Sequence, residues 1–504
     1  MGKIGIVLIL IQLISKIFGF AREIVLSYFY GTSSISDAYL IAFTIPSILF
    51  TIIGTGITAG YIPTYNKIKK LECDNSAKIF TSNLINIIGA MCLFLAVITF
   101  MFPSLIVKLL ASGFDAEKLE LAIFFTRISV WSIIFLGIST IALSYLNIND
   151  SFYVSSLIGI PLNIGLIGGI ILSYYHSKFY LAFGITIGYA LQLIMITPVL
   201  QRKGYKHKLF LDLNDKYIKE IMLLAVPMII GSCASQLNVV IDRTIASFLP
   251  TGSISALNYS SKLNTFIQGV LLTPIITILY PKISKLAANN EYNKLATYFY
   301  EVISLITLLV LPIMIGGMYL SRELTGILFL RGAFTNEALE ITANSVFFYL
   351  LGIIGIAFRE VQFRVYYSYG DTKTPVKNSI IAIGINIVLN LILSRTMGAP
   401  GLALSTSLSS IIASVLLQKD IKKYLRKFKT VKTILYNISK IFISNATMLL
   451  VLFIVAHFYP PKISILNLFI QILIGSSVYL VCLKILNVKE FNNLINAIKQ
   501  KNII

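Results

Sequence analysis

Apolar segments long enough to cross a membrane recur along almost the whole chain. A helix needs about 20 mainly apolar residues to span the hydrocarbon core of a bilayer. About 14 such segments are present, and they fall at residues 4–30, 36–62, 80–107, 123–147, 152–174, 179–200, 220–248, 254–280, 299–320, 339–368, 376–394, 399–418, 438–459 and 463–486. Only 12% of the residues are charged, about half the fraction found in soluble domains. Because hydrocarbon offers no hydrogen-bond partner to the backbone, the sequence predicts an all-α polytopic membrane protein.

The positive charges are unevenly distributed between alternate loops. If the N-terminus is cytoplasmic, most lysines and arginines fall in cytoplasmic loops, at residues 67–78, 202–219, 282–294, 373–377 and 419–432. The external loops then hold only Lys118, Lys178, Arg322, Arg331, Arg395 and Lys462. This is the positive-inside pattern, and it predicts that both termini are cytoplasmic. The net charge of +21 is therefore mainly a topology signal, with attraction to anionic lipid as a secondary effect, and we expect no nucleic-acid partner.

Motifs of catalysis and metal binding are absent from the sequence. The four cysteines, Cys73, Cys92, Cys233 and Cys482, are far apart and form no CxxC pair. The sequence contains no P-loop, no GxSxG and no HExxH motif. These patterns would indicate nucleotide hydrolysis, acyl transfer or zinc chemistry. We therefore expect a protein that is not an enzyme, without a metal site.

A weak internal repeat relates the two halves of the chain. Residues 15–36 read SKIFGFAREIVLSYFYGTSSIS, and residues 235–255 read SQLNVVIDRTIASFLPTGSIS. The repeat predicts an N-terminal lobe at 1–215 with segments 1–6, and a C-terminal lobe at 216–418 with segments 7–12. Residues 419–504 would supply a basic linker and segments 13–14. Two copies with an even number of spans share one orientation, which suits a transporter with two parallel lobes around a central site.

Charged residues lie inside several apolar segments. Lys16, Arg22 and Glu23 lie in the first segment, and Lys262 lies in the eighth. A charge at the bilayer centre costs about 2.5–3.5 kcal/mol on insertion scales, so such residues usually face a polar cavity or one another. The excess of cations predicts a cavity that binds an anionic substrate through Lys16, Arg22 and Lys262. Arginine offers a bidentate fork to phosphate, and lysine offers a point charge.

The acids that accompany these cations leave two interpretations open. Glu23, Asp37, Asp242 and Arg243 are candidates for gating, or for coupling transport to a monovalent cation or to the membrane potential. The alternative is structural pairing, such as Glu23 with Arg22, or Asp242 with Arg243 from a neighbouring helix. We expect no cofactor other than such a coupling cation.

Three glycines interrupt the second segment. Gly54, Gly56 and Gly60 lie within two helical turns of one another. Small residues at this spacing indicate either a bending element or a close approach of a neighbouring helix.

The charged residues belong to a larger set of motifs that extends over residues 5–420. The set consists of Ser15 to Glu23, Gly31, Ser36 to Tyr39, Ala42, Phe43, Pro46, Pro63, Gly252 to Ser255, Tyr259, Lys262, Leu263, Arg331 to Phe334, Tyr366, Tyr367, Asp371 to Pro375 and Asn386 to Asn390. Together these motifs resemble those of the MurJ/MviN lipid II flippases. That family lies within the multidrug/oligosaccharidyl-lipid/polysaccharide exporter superfamily.

The resemblance implies a fold, a substrate and a set of site residues. The family fold is two six-helix lobes in a V, with two extra helices that form a groove for a lipid tail. The implied activity is transfer of undecaprenyl-pyrophosphate-linked peptidoglycan precursor from the inner to the outer leaflet of the bacterial cytoplasmic membrane. The family's central cations fall on Lys16, Arg22 and Lys262, and a family acid falls on Asp37.

The chain departs from the family pattern in the charge of its cavity. Family members usually carry arginine where this chain has Lys16 and Lys262. They often carry another arginine where it has Phe50, and an acid where it has Thr55. A flippase for another lipid-linked oligosaccharide, such as a capsule or wall-polymer unit, is therefore an alternative.

Two further alternatives belong to other functional classes. One is a cation-coupled drug antiporter of the same superfamily, which would carry acids deep in its lobes. The other is a membrane scaffold that recruits cell-wall synthesis enzymes. The expected partners are a lipid-linked glycan, membrane lipids and such enzymes.

Overall fold

Helices account for all the regular secondary structure that is described. In a computed structural model of the protein, residues 2–421, 431–458 and 463–501 are described. Within these ranges there are twenty α-helices and no β-strand. The helices are α1 Gly2–Tyr30, α2 Ser34–Leu71, α3 Asp74–Met101, α4 Pro103–Leu110, α5 Ala116–Ser129, α6 Ser132–Ile148, α7 Phe152–Leu157, α8 Gly159–Tyr175, α9 Phe179–Arg202, α10 Lys216–Ser247, α11 Ser253–Ala288, α12 Tyr292–Tyr319, α13 Ser321–Phe329, α14 Asn336–Leu351, α15 Ile353–Ser368, α16 Lys373–Met397, α17 Ala399–Ile421, α18 Val431–Phe458, α19 Ile465–Ile485 and α20 Lys489–Lys501.

The helices confirm the predicted fold class, but they do not confirm the count of 14 spans. Among the described residues, 11 spans are long and apolar enough to cross a membrane. The number rises to 13 if each of two bent pairs is one span. These pairs are α5 with α6, bent by 46°, and the two parts of α10, bent by 45°. The remaining predicted segment, residues 4–30, lies in α1, which carries Lys3, Lys16, Arg22 and Glu23 and is not among those spans.

The chain forms two compact units. Unit 1 comprises Met1–Ser255 and Arg331–Phe334, and unit 2 comprises Ala256–Leu330 and Thr335–Ile504. These units are defined by contacts and do not test the predicted lobes at 1–215, 216–418 and 419–504, which stay a prediction. Residues 422–430 of the predicted basic linker lie outside the described residues, as does Lys462.

Helix α2 is the centre of unit 1. It packs against α3, α5, α6 and α10. The buried ring of Tyr61 stacks on Phe80 at 6.1 Å between centroids, and Tyr65 meets Tyr145 edge-on at 5.8 Å. The Tyr61 hydroxyl is 2.8 Å from that of Thr81, so its polar end is paired inside the core.

Glycines set the closest helix approaches in unit 1. A Cβ on Gly56 would lie 2.9 Å from the Cβ of Ala225 on α10, which confirms the predicted close packing at this position. A second set was not predicted: Gly165 and Gly169 of α8 lie against Gly188 and Gly184 of α9. A Cβ on Gly169 would lie 2.6 Å from the Cα of Gly184. Each helix thus presents a small-xxx-small pair, the pattern that lets backbones pack closely in membranes.

Unit 2 contains a serine-rich packing helix and an apolar cavity. Helices α14, α15 and α16 pack against α17, where the Ser407 hydroxyl donates to the carbonyl of Phe348. Helices α12, α18 and α19 share a separate apolar core that contains Leu308, Met448 and Tyr479. A cavity of about 540 Å³ lies between these helices, and Phe491 of α20 contributes to its lining. The lipid-tail groove that the resemblance implies for the two C-terminal helices stays a prediction.

We expect leucine at Gly169 to destabilise unit 1. The added side chain would meet the backbone of α9, and such overpacking costs about 1–3 kcal/mol. The matched control is Gly168→Leu, because a Cβ on Gly168 meets no atom within 4 Å. Thermal unfolding in detergent should give a lower Tm for Gly169→Leu than for Gly168→Leu. Equal midpoints would contradict the close approach of α8 and α9.

Candidate functional site

Arg22 and Glu23 form a buried ion pair in α1. The guanidinium of Arg22 contacts the Glu23 carboxylate, and the two residues are 8% and 0% exposed. The guanidinium also lies 5.0 Å from the ring centroid of Phe43 on α2. The pairing of Glu23 with Arg22 that the sequence allowed is therefore present, and a role of Glu23 in gating or ion coupling stays a prediction. One acid offsets one cation here, and the aromatic face adds a cation–π contact.

Lys16 lies on the same helix in a different environment. Its side chain is partly exposed, and no carboxylate of the described residues forms a salt bridge with it. Helix α1 packs against α8 at this level, where Gly19 lies opposite the side-chain amide of Asn163. Lys16 thus presents a charge that no described carboxylate pairs in a salt bridge, six residues before the Arg22–Glu23 pair on the same helix.

The predicted residues of the second half lie on two helices. Asp242 and Arg243 lie on α10 in unit 1, where both are partly exposed. The side-chain amide of Asn238 donates to the Asp242 carboxylate at 3.4 Å. Lys262 lies on α11 in unit 2, and its side chain is exposed.

Asp37 is buried at the start of α2 and is fully engaged in hydrogen bonds. It is 2% exposed. Its carboxylate accepts the backbone N–H groups of Gly252 at 2.7 Å and Ser255 at 2.9 Å, and the Ser255 hydroxyl at 2.8 Å. These donors lie at the start of α11, in the residue before it and in its first turn. Asp37 therefore performs, from another helix, the role of an N-cap, where a carboxylate also meets the positive end of the helix dipole.

Two short loops complete the same region of unit 1. After α4, the N–H of Gly113 donates to the Ser247 hydroxyl at 2.9 Å, at the end of α10. After α13, the N–H of Ala333 donates to the carbonyl of Tyr28 at 2.8 Å, near the end of α1. Each loop thus contacts the end of a helix from the other copy of the repeat. We call residues 28–37, 113, 247–255 and 331–334 the junction.

Glycine is required at two positions of the junction. Gly252 has φ +89°, and a Cβ there would lie 2.5 Å from the carbonyl oxygen of Thr32. Gly332 has φ +59°, and a Cβ there would overlap the carbonyl oxygen of Tyr28. A side chain would meet both backbone strain and a fixed carbonyl at each position.

Sequence reasoning identified Asp37 but missed its partners. The signal was present in the repeat. Gly113-Phe114-Asp115 and Gly332-Ala333-Phe334-Thr335 occupy corresponding places, and Asp115 and Thr335 each cap the helix that follows. A comparison of the two loops would have suggested a shared role, although no spacing rule gives the helix ends that they contact.

The described residues contain no group of three His, Cys, Asp or Glu side chains that could hold a metal ion. Arg22 keeps further N–H donors beyond those that face Glu23, since a guanidinium has five.

Comparison with known proteins identifies the family. The family model described as "Lipid II flippase MurJ" matches residues 26–474. The chain belongs to this family. The resemblance inferred from the motifs is thereby confirmed, and the protein is a multi-pass protein of the bacterial cytoplasmic membrane.

Individual MurJ relatives and solved structures agree. A "Probable lipid II flippase MurJ" of Rickettsia prowazekii (strain Madrid E) is 30% identical over 414 residues, which is 80% of each chain. A solved structure titled "Lipid II flippase MurJ, inward closed conformation" has a TM-score of 0.84 and 27% identity, and the match covers 97% of this chain and 100% of that one. A multidrug resistance MATE family transporter of the MOP superfamily has a TM-score of 0.67 at 12% identity over 82% of this chain and 98% of that one, which shows a shared fold alone.

We expect Asp37→Ala to lower the stability of the junction. The substitution leaves two buried backbone N–H groups without their acceptor, and each such group costs about 1–3 kcal/mol. Ser255→Ala removes only one of the three donors and should cost less. Thermal unfolding of the purified protein should rank wild type above Ser255→Ala and Ser255→Ala above Asp37→Ala. An unchanged Tm for Asp37→Ala would contradict the claim that the Asp37 carboxylate stabilises the junction.

Alanine at Gly332 should also destabilise the protein, and Gly370, which follows α15, offers the control. Both glycines have a positive φ, +59° at Gly332 and +72° at Gly370, but a Cβ on Gly370 meets no atom within 4 Å. The backbone strain of about 1 kcal/mol is common to both variants, whereas the overlap with Tyr28 belongs to Gly332→Ala alone. The Tm should therefore fall further for Gly332→Ala, and an equal fall would show that the loop is free to move away.

Proposed function

We propose that this protein moves lipid II, the undecaprenyl-pyrophosphate-linked peptidoglycan precursor, from the inner to the outer leaflet by alternating access. Membership of the lipid II flippase family across residues 26–474 is the observation that carries the proposal. The protein acts as a transporter and not as an enzyme, with both termini in the cytoplasm. Its partners are the lipid-linked glycan and the surrounding lipids, with cell-wall synthesis enzymes as further candidates.

Arg22 is the proposed pyrophosphate ligand. Its burial against Glu23 and Phe43 fixes the guanidinium, so little side-chain entropy is lost when a ligand binds. Glu23 occupies part of the donor fork and offsets one charge, which makes it a positioning residue. The N–H groups that remain suit the paired oxygens of a pyrophosphate.

Lys16 and Lys262 are the proposed additional cations. Lys16 lies six residues before Arg22 on α1, and it forms no salt bridge with a described carboxylate. Lys262 projects from the surface of α11 in unit 2. As ammonium groups they supply charge without fixed geometry, which suits a pyrophosphate that must both bind and leave.

The junction is the proposed gate. Its hydrogen bonds join the starts and ends of helices from both copies of the repeat, so access from that end requires them to break. Asp37 is the central acceptor, because three donors depend on it. Asp242 and Arg243, with Asn238 beside them, are the proposed elements of gating or of ion coupling.

Transport against a gradient needs a source of free energy. The positive charges of Lys16, Arg22 and Lys262 would allow the membrane potential to act on the protein. Each elementary charge that crosses the membrane potential contributes about 2.3 kcal/mol per 100 mV. We propose coupling to this potential or to a monovalent cation, and no other cofactor. The alternatives of another lipid-linked oligosaccharide or a drug substrate receive no support from the family match.

Complementation tests the substrate and the cations together. In a bacterium depleted of its own lipid II flippase, expression of this chain should restore growth. Arg22→Ala and Lys262→Ala should each lose rescue, because a charge-assisted hydrogen bond is worth about 1.5–3 kcal/mol, or roughly 10- to 100-fold in binding. Lys70→Ala, which removes an exposed cation at the end of α2, should rescue fully.

The outcomes separate the hypotheses. Full rescue by Arg22→Ala at normal expression would contradict the proposal that Arg22 binds the substrate pyrophosphate. Failure of the wild-type chain at good membrane expression would favour a different lipid-linked glycan as the substrate.

A further inference from the structure

A second cavity lies in unit 1, away from the charged residues of α1. It has a volume of about 910 Å³ and lies between α3, α6 and α9, beneath the segment that follows α9. Ile85, Ile138 and Leu193 line its apolar part, and Gln201, Lys206 and His207 line its opening. Its volume is within the range of about 300–1,000 Å³ that is usual for small-molecule sites. The lining is thus amphiphilic, with Gln201, Lys206 and His207 at the C-terminal end of α9 and just beyond it, and with Asn86 and Thr197 as further polar members.

Hydrogen bonds to α3 fix the opening. The Asn86 side chain donates to the carbonyls of Lys208 at 2.8 Å and Phe210 at 2.7 Å. The N–H of Lys208 donates to the Ser82 hydroxyl at 3.3 Å, and that hydroxyl is also 3.0 Å from the hydroxyl of Tyr205. These hydrogen bonds hold residues 205–210 against α3, so the fold sets the positions of Lys206 and His207.

The opening is at the depth of lipid headgroups. Helix α9 has 24 residues, so it is about 36 Å long, slightly more than the roughly 30 Å of hydrocarbon in a bilayer. Its final residues, Gln201 and Arg202, must then lie at one interface. The apolar part of the cavity, which lies towards Leu193, falls at the depth of acyl chains.

The charge at the opening has one sign. Residues 202–208 contain Arg202, Lys203, Lys206 and Lys208, and they contain no acid. Partial burial lowers the pKa of the His207 imidazole, so His207 is neutral at pH 7. Lys206 is thus the cation that lines the cavity. An occupant that matches this lining has an anionic head and an apolar chain.

We propose that this cavity binds one anionic phospholipid, with its phosphate at Lys206 and one acyl chain against Ile85, Ile138 and Leu193. His207 and Gln201 supply hydrogen bonds to the glycerol phosphate. This site is separate from the pyrophosphate ligands assigned above, and it does not depend on the transported substrate. Its lipid would hold the segment that leads from α9 to α10 at the membrane surface.

Lipid retention tests the proposal on the full-length protein. The protein is purified in neutral detergent with equal amounts of phosphatidylglycerol and phosphatidylcholine, and native mass spectrometry counts the lipids that survive stepwise delipidation. We expect one retained phosphatidylglycerol per chain, preferred about five- to tenfold, since one basic residue contributes about 1 kcal/mol. Soluble glycerol phosphate at equal concentration should not displace it, because it lacks the chain.

Paired variants locate the retained lipid. Lys206→Glu removes the cation at the opening, and Gly89→Leu fills the apolar part. A Cβ on Gly89 would first meet Ile138, at 3.9 Å, so a larger side chain enters the cavity without a clash. Both variants should lose retention at an unchanged Tm. Lys70→Glu and Gly168→Leu make the same changes outside the cavity and should retain the lipid. If Gly89→Leu does not fold, the comparison of lipid retention between Lys206→Glu and Lys70→Glu tests the site.

Three results would overturn the proposal. The first is equal retention of the two phospholipids. The second is an equal loss for Lys206→Glu and Lys70→Glu, which would mean that the lipid is held only by the general basic charge. The third is displacement by equimolar undecaprenyl pyrophosphate, which would assign the cavity to the transported lipid.

Discussion

The absence of water from the hydrocarbon core governs every part of this structure. A backbone amide there must find its partner within the protein, so the spanning segments are helices, and any interruption must be satisfied by a neighbour. The same constraint makes each intramembrane charge costly. The fold offsets the cost of these buried charges in two different ways. It pairs Arg22 with Glu23 inside one helix, and it places the Asp37 carboxylate at the start of another helix.

These two acids illustrate different uses of a buried carboxylate. Glu23 offsets the charge of a neighbouring cation and holds it in place while leaving donors available. Among the described residues, the hydrogen-bond donors to the Asp37 carboxylate are the neutral N–H and O–H groups of Gly252 and Ser255, at the start of α11. Contacts made of neutral donors can separate without leaving two opposite charges apart in a medium of low dielectric constant. This property suits the gate that we propose at the junction.

The lipid environment also explains the two cavities described in the separate units. The lining of the unit 2 cavity is mainly apolar, whereas the unit 1 cavity has a basic opening fixed by Asn86 and Ser82. An apolar groove can accommodate any hydrocarbon chain, whereas a charged opening selects lipids by the charge of their headgroup. The protein thus carries one surface suited to a long hydrocarbon tail and another suited to an anionic phospholipid.

Hydropathy alone determined the helical class and most of the spans, because a 20-residue apolar segment has few other stable conformations. The motifs determined the family, and the spacing of Arg22 and Glu23 already allowed their pairing. The partners of Asp37 and the contacts of Gly113 and Gly332 depended on the tertiary structure. The glycine approach between α8 and α9 and the polar opening of the unit 1 cavity did so as well. These features join residues that are distant in the sequence, and hydrogen-bond geometry between distant segments leaves no local periodicity to read.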